Sequence, residues 1–379
     1  MKIAFAYESA YPWFNGGIEK RRYNILRSLA KDKSNEMHMF TLYRTGMPGM
    51  EFKYEGVQYH CVGKALDINR MYKGESRTIY MSLKFSVLLF FKMLKYRFNI
   101  IDTDAFPFLH IPLLALYSRL RRAKLVITWH EVWSKSFWLS YMSKGGNFGY
   151  FMEKLAAKLG YVHIANTTTT KQLLERLFRV KPEKIMVLPA AVYSEEINSF
   201  LRRNAGKCKK ENKFVVINRL VKHKRTDIAI RAMRDVNAKL VIIGKGPELD
   251  NLKELANKEH IKHKVEFKQD LSIEQLYKEL CTSIALIMPS EREGLSLITA
   301  EALALGVPVA VVDTTVLPGE IKSLCSEIEE DKLGTLLNDM LKNRHSYEKE
   351  YEEKRSKAIS RFSSDAAEEV YKKIEEMHK

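Results

Sequence analysis

Short apolar runs alternating with helical patterns constrain what this chain can fold into more than any other feature. KIAFAY, EMHMFTL, VQYHCV, NIIDTD, KLVITWH, YVHIANT and KIMVLP come first, with amphipathic stretches such as IEKRRYNILRSLAK and TKQLLERLF between them. A polar, lysine-rich stretch, RRNAGKCKKENK at 202–213, interrupts the pattern. The alternation restarts with FVVINR, AKLVIIG, KVEFK, IALIMP and VPVAVV. Continuous Val/Ile runs of strand length are buried on both faces, as parallel strands covered by helices are. Two such series predict an α/β chain of two Rossmann-like, doubly wound domains facing across a cleft, 1–190 and 191–363. From about 332 the pattern is helical. EKEYEEKRSKA reads as a solvated helix face, and FSSDAAEEVYKKIEEM as a helix capped by its serines. The last helix, 364–379, is expected to pack back on the first domain.

The length agrees: 379 residues exceed one ordinary core, and 46% hydrophobic content excludes disorder as the default. Cys61, Cys208, Cys281 and Cys325 show no CxxC spacing and read as reduced packing residues of an intracellular protein. The opening MKIAFAYESAYPW meets Glu8 too soon for a secretion signal. FSVLLFF at 85–91, bracketed by Lys84 and Lys92, is too short to span a bilayer. A cytoplasmic protein, soluble or peripheral on the inner face of the membrane, is therefore expected. Its net charge of +17 suits polyanionic partners: nucleotide phosphates, anionic lipid or nucleic acid.

The densest chemistry lies in PSEREGLSLITAEALALGVPVAV, 289–311. IALIMP predicts a buried strand and SLITAEALALG a helix ended by Gly306, with Glu293 and Gly294 in the turn between. Such turns sit at the carboxyl edge of an open sheet, where ligands bind, and helix-start N–H groups hold phosphate. Glu301 falls among Ala300, Ala302 and Leu303, where an unpaired carboxylate is costly. Vicinal hydroxyls of a ribose would satisfy it; a neighbouring loop would do so equally. NRLVKHKRTD sets Arg219 at a strand end and Lys224 before a helix, a pair of cations able to clamp a diphosphate. VIIGKGPELDNL places Gly244 and Gly246 after a strand, and NGGIEKRR places Gly16 and Gly17 before a helix. VITWHEVW ends a strand at His130, an imidazole at the sheet edge.

Together these stretches resemble the retaining glycosyltransferases of the GT4 family (glycosyl transferase group 1), which have the GT-B fold. The 289–311 stretch matches that family's E-x7-E signature, and NRLVKHK, VIIGKGPELDNL, NGGIE and TWHE match further elements in order. The resemblance implies transfer of a sugar from a nucleoside diphosphate sugar to an acceptor hydroxyl, glycan- or lipid-linked. By it, Glu301 binds the ribose, Glu293 holds a sugar hydroxyl, and Arg219 and Lys224 bind the diphosphate. Backbone from Gly294, Leu295 and Ser296 assists, with Gly244 and Gly246 on the nucleotide side. His130 faces the reacting sugar, and Gly16 and Gly17 line the cleft on the acceptor side. No cofactor and no metal are expected. Three departures stand out: PAAVY at 189–193 lacks a hinge glycine, Ser296 replaces a common glycine, and the stretch after Asp313 is compressed.

NIIDTD also holds a DxD pair, Asp102 and Asp104, which binds metal in another glycosyltransferase fold; here it lies far along the chain from the phosphate cations and reads as a strand end. His260 and His263 have no further ligand partner in the sequence. Two rival functions remain open. One is a sugar-nucleotide epimerase of similar fold. The other is a non-catalytic polyanion binder, for which no dedicated nucleic-acid signature appears.

Overall fold

The computed structural model describes residues 1–14, 16–66, 72–73, 76–77, 79–142, 145–189, 192–206 and 208–377. The chain divides into two compact units, Met1–Ala190 with Ser364–Lys379, and Ala191–Ser363. The PAAVY stretch includes residues 190 and 191, which lie outside the described residues.

The first unit contains β1 (Lys2–Ala6), β2 (Glu36–Tyr43), β3 (Glu51–Tyr54), β4 (Val57–Lys64), the short ribbon β5 (Tyr72–Lys73) and β6 (Ser76–Arg77), then β7 (Ile100–Asp104), β8 (Lys124–Trp129), β9 (Val162–Ala165) and β10 (Ile185–Val187). Eight of these strands form one sheet in the order β10-β9-β8-β7-β1-β2-β4-β3, parallel except for the β3–β4 pair. Side chains alternate across a strand, so one strand feeds two cores. Ala4 and Ala6 face one core with Phe85 and Leu89 of the helix Ile79–Met93. Ile3 and Phe5 face the other, with Ile25 and Leu29 of the helix Gly17–Leu29. The last helix, Ala367–Glu376, adds Tyr371 and Ile374 to that second core.

The second unit contains β11 (Lys213–Ile217), β12 (Lys239–Ile243), β13 (Val265–Lys268), β14 (Ala285–Met288), β15 (Val309–Val312) and β16 (Ser326–Ile328). They form a six-stranded parallel sheet, β13-β12-β11-β14-β15-β16. Val215, Val241 and Leu286 point to one core, and Val216, Ile242 and Ile287 to the other. Both units are therefore Rossmann-like, with helices on both faces of a parallel sheet.

Several expectations are corrected. The strands β3 (EFKY) and β16 (SEI) carry no run in the sequence pattern, because they are short, mix charged with apolar residues and have no fully buried residue. Cys208 and Cys281 are joined in a disulfide, Cα to Cα 5.5 Å, rather than reduced; only Cys61 and Cys325 are free. Linear spacing hides that pair, since 73 positions separate them and the fold brings them together. The final helix, Ala367–Glu376, follows a single 3-10 turn, Ser364–Ala366, so its first α-helical residue comes later than the serines. The helix Arg344–Phe362 is solvated only in part: Tyr351, Ala358 and Phe362 are fully buried. Finally, the helix Ile79–Met93 buries Phe85, Leu89 and Met93 and exposes Leu83, Val87 and Phe91. Among the described residues no helix is long and apolar enough to cross a membrane.

Candidate functional site

In a doubly wound sheet the crevice for a ligand opens where consecutive connections leave in opposite directions. In the second unit that point lies between β11 and β14, neighbours in the sheet although β12 and β13 separate them in sequence. The residues singled out from sequence leave the carboxyl ends of these strands. Arg219 follows β11, is exposed, and forms no ion pair among the described residues. Lys224 closes the turn Lys222–Lys224, and its Nζ lies 2.7 Å from Glu293 Oε1, both side chains being largely buried. Glu293 is fixed through its backbone: its N–H donates to Val316 O at 2.9 Å, and Val316 N–H donates to Glu291 O at 2.9 Å. The compressed stretch after Asp313 thus holds the strand-to-helix turn in place.

Gly294 and buried Leu295 lead into the helix Leu297–Ala304, whose first N–H groups have no intrahelical acceptor. Ser296 caps it in the left-handed region at φ 62°, where glycine is at home and other residues are strained, and its Oγ pairs with Thr299 Oγ1 at 2.8 Å. Glu301, on the second turn, is 2% exposed and accepts a hydrogen bond from the Tyr277 hydroxyl at 3.1 Å. A buried carboxylate therefore stands near the same strand end with a donor holding it. Tyr277 lies on the helix Ile273–Thr282, which Cys281 ties to Cys208 one turn further on. No pattern in the sequence marks Tyr277, because its role depends on a helix packed from elsewhere.

The glycines allow close backbone packing. A Cβ on Gly244 would lie 1.8 Å from Asn218 O, and one on Gly246 2.1 Å from Leu220 O. They let the turn after β12 press against the turn that carries Arg219, which a side chain at either position would prevent. At Gly16 the helix start is faced by the Glu19 carboxylate, whose Oε2 a Cβ there would meet at 2.1 Å, while Gly17 is open.

In the first unit the reversal lies between β1 and β7. His130 follows β8 with its side chain 18% exposed, and its Nε2 lies 2.7 Å from Asp104 Oδ1. Asn166 Nδ2 donates to His130 O at 2.9 Å, holding the backbone as well. Arg22, from the helix Gly17–Leu29, donates through Nε to Asp104 Oδ2 at 2.9 Å. Burial would lift the Asp104 carboxyl, but Arg22 and the His130 hydrogen bond outweigh it and hold it down at about 2. Asp102 accepts from Thr128 Oγ1 at 2.8 Å and from the Tyr371 hydroxyl of the last helix. Burial lifts its carboxyl above the ordinary value even so. The DxD pair is thus consumed by protein partners, and both carboxylates are 1% exposed. Sequence reading passed over Arg22 because it sits in a run of cations. Among the described residues no group of three His, Cys, Asp or Glu side chains is arranged to hold a metal. His260 and His263 lie in the second unit beside Glu259 and Lys264, in a shallow basic depression.

Comparison with known proteins follows the same division. Residues 15–196 match the family model described as Glycosyltransferase Family 4, and residues 198–358 the one described as Glycosyl transferases group 1. An uncharacterized glycosyltransferase of Methanocaldococcus jannaschii is 30% identical over 161 residues, 38% of this chain and 41% of that protein. The chain thus aligns with less than half of that relative's length. Among solved structures, sucrose-phosphate synthase from Thermosynechococcus elongatus superposes with a TM-score of 0.79 at 14% identity, over 98% of each chain. The Anabaena protein HepE, solved in complex with UDP, superposes with a TM-score of 0.72 at 14% identity, over 100% of each chain. These likenesses are of fold, and the fold is GT-B.

Proposed function

The chain belongs to the glycosyl transferases of group 1, and on that premise we propose that it moves a sugar, with retention, from a nucleoside diphosphate to an acceptor hydroxyl. One observation carries the reading. At the β11–β14 reversal of the second unit stand two cations, an open helix start and two carboxylates held in place by Lys224 and Tyr277. That is the set a nucleoside diphosphate sugar needs. Glu301 accepts from the ribose hydroxyls, and Arg219 with Lys224 neutralises the diphosphate and the charge that grows on it as the bond to the sugar breaks. The helix-start N–H groups add to that field. Lys224 bridges two roles, since the same ammonium that meets phosphate holds Glu293 toward a sugar hydroxyl. His130 acts at the reacting sugar. The UDP bound by HepE is consistent with such a donor. An epimerase would use the same donor set without an acceptor.

The acceptor reading rests on a second observation. Leu83, Val87 and Phe91 recur every four residues and so form one exposed stripe on the helix Ile79–Met93. The adjacent helix Ile111–Arg121 exposes Leu116 and Leu120. Lys95, Arg97, Arg119 and Arg122, at or just beyond the C-terminal ends of these two helices, are exposed as well. An apolar stripe with cations at its end suits the interface of an anionic bilayer and hence a lipid-linked acceptor. Phe85 and Leu89 of the same helix are buried and take no part in this face.

The donor reading is tested by screening nucleoside diphosphates and their sugars for protection against heat unfolding, followed by assay of diphosphate release. Protection by a nucleotide sugar, with release dependent on acceptor, is the expected result. A protein that no nucleotide protects would refute it.

A further inference from the structure

The imidazole of His130 has two nitrogens, and the structure decides which one carries the proton in the neutral ring. Nε2 faces Asp104 Oδ1 at 2.7 Å. Asp104 is buried, and its other oxygen takes Nε and Nη2 of Arg22, so an ionised carboxylate is locked against a guanidinium that can only donate. Asp102, two residues away on β7, is occupied by Thr128 and Tyr371, so it does not compete for the imidazole. A carboxylate oxygen accepts, hence Nε2 must donate. Among the described residues nothing bonds Nδ1. The backbone of His130 is held independently through Asn166.

We infer that Asp104, clamped by Arg22, is a positioning residue that fixes His130 as the Nε2–H tautomer, so that the ring offers its ligand a lone pair at Nδ1 and selects a hydroxyl donor of the sugar. This rests on the assignment of His130 to the transferred sugar. It adds which atom acts, what kind of group it takes, and which residues on other elements set it. A carbonyl or phosphate oxygen, having no proton to give, is not a partner for a neutral ring so held.

The test is a nitrogen-15 spectrum of the imidazole side chains in the full chain with the ring neutral, His130 being identified by the signal lost in His130→Gln. A single Nε2–H species is expected; an Nδ1–H species or a mixture overturns the inference. Asp104→Asn provides the second arm. Arg22 draws the amide oxygen, so the amide nitrogen faces Nε2 and forces it to accept. The ring is then expected to switch to the Nδ1–H tautomer, and release of nucleoside diphosphate to fall by roughly tenfold or more, as follows when a base is held in the wrong tautomer. An unchanged ring signal in folded Asp104→Asn overturns the role of Asp104. Should that variant not fold, the wild-type spectrum alone decides. Failure of the underlying reading looks different: both spectra come out as expected, yet His130→Gln releases diphosphate at the wild-type rate.

Discussion

Glu301→Gln separates a ribose-binding carboxylate from a structural one. Glu301 accepts a hydrogen bond from the Tyr277 hydroxyl at 3.1 Å, and the two residues are 2% and 3% exposed. Glutamine retains an oxygen that can accept from the same hydroxyl. The substitution therefore turns a charged bond into a neutral one, a loss of about 1 kcal/mol in stability, from roughly 1.5–3 down to 0.5–1.5 kcal/mol. At the nucleotide the same loss occurs at each of two ribose hydroxyls, about 2 kcal/mol in all. At about 1.4 kcal/mol per tenfold, that weakens binding about 30-fold. Titration calorimetry with UDP and with GDP measures Kd, and thermal unfolding checks that the variant folds. Glu301→Gln that folds and binds the preferred nucleotide within about threefold of wild type would refute the ribose assignment. Unaltered affinity with a large loss of stability would place Glu301 among the structural residues.

Reduction of the Cys208–Cys281 disulfide, or Cys208→Ser, is expected to cost roughly 2–4 kcal/mol of stability, given the long loop it closes; identical urea midpoints with and without reductant would mean the bond does not form in solution. Glu153, buried and bonded by Trp133 N–H and Trp138 Nε1–H, has its carboxyl lifted by burial to about 7 from 4.5. The folded protein keeps that proton where the unfolded chain has released it, so this contribution is full below pH 4.5 and lost as pH rises through 7. Stability measured against Glu153→Gln should therefore fall by an amount on the order of 3 kcal/mol between pH 4.5 and 8, and a constant difference would show that Glu153 does not titrate in this way. Phe91→Ser with Leu120→Ser should lower cosedimentation with anionic vesicles by roughly tenfold while sparing the fold, because about 1.5 kcal/mol of apolar burial is removed; binding that is unaltered, or equal on neutral vesicles, counts against the membrane face. EDTA should leave diphosphate release intact, since Arg219 and Lys224 supply the cationic charge at the diphosphate; abolition restored by Mg²⁺ or Mn²⁺ would require a metal in the mechanism.

What was legible in the sequence was legible for a physical reason. Apolar runs announce β1, β2, β4 and β7–β15, whereas β3 (EFKY) and β16 (SEI) are short, partly charged and without a fully buried residue, and do not. The second unit's candidate site is built of local parts: Glu293, Ser296 and Glu301 share one turn and helix, and Arg219 and Lys224 one turn, so sequence could list them together. The glycines were less legible, because the sequence does not say which neighbour needs the room: at Gly244 and Gly246 a Cβ would meet the turn carrying Arg219.

By itself, then, the sequence determined the class of fold, the repeated strand–helix order and the strand ends where chemistry gathers, all of which follow from local periodicity and turn chemistry. Only the tertiary structure decided the partners. Tyr277 reaches Glu301 from 24 positions away, Arg22 reaches Asp104 from 82, and Tyr371 reaches Asp102 from 269. Asp104 ends β7, as the sequence indicated, but nothing in the sequence marked Arg22 as its partner rather than one more cation in a basic chain. Out of water a carboxylate and a guanidinium are each costly alone, so packing that brings them together leaves them bound to each other, and the imidazole beside them takes its proton from that arrangement.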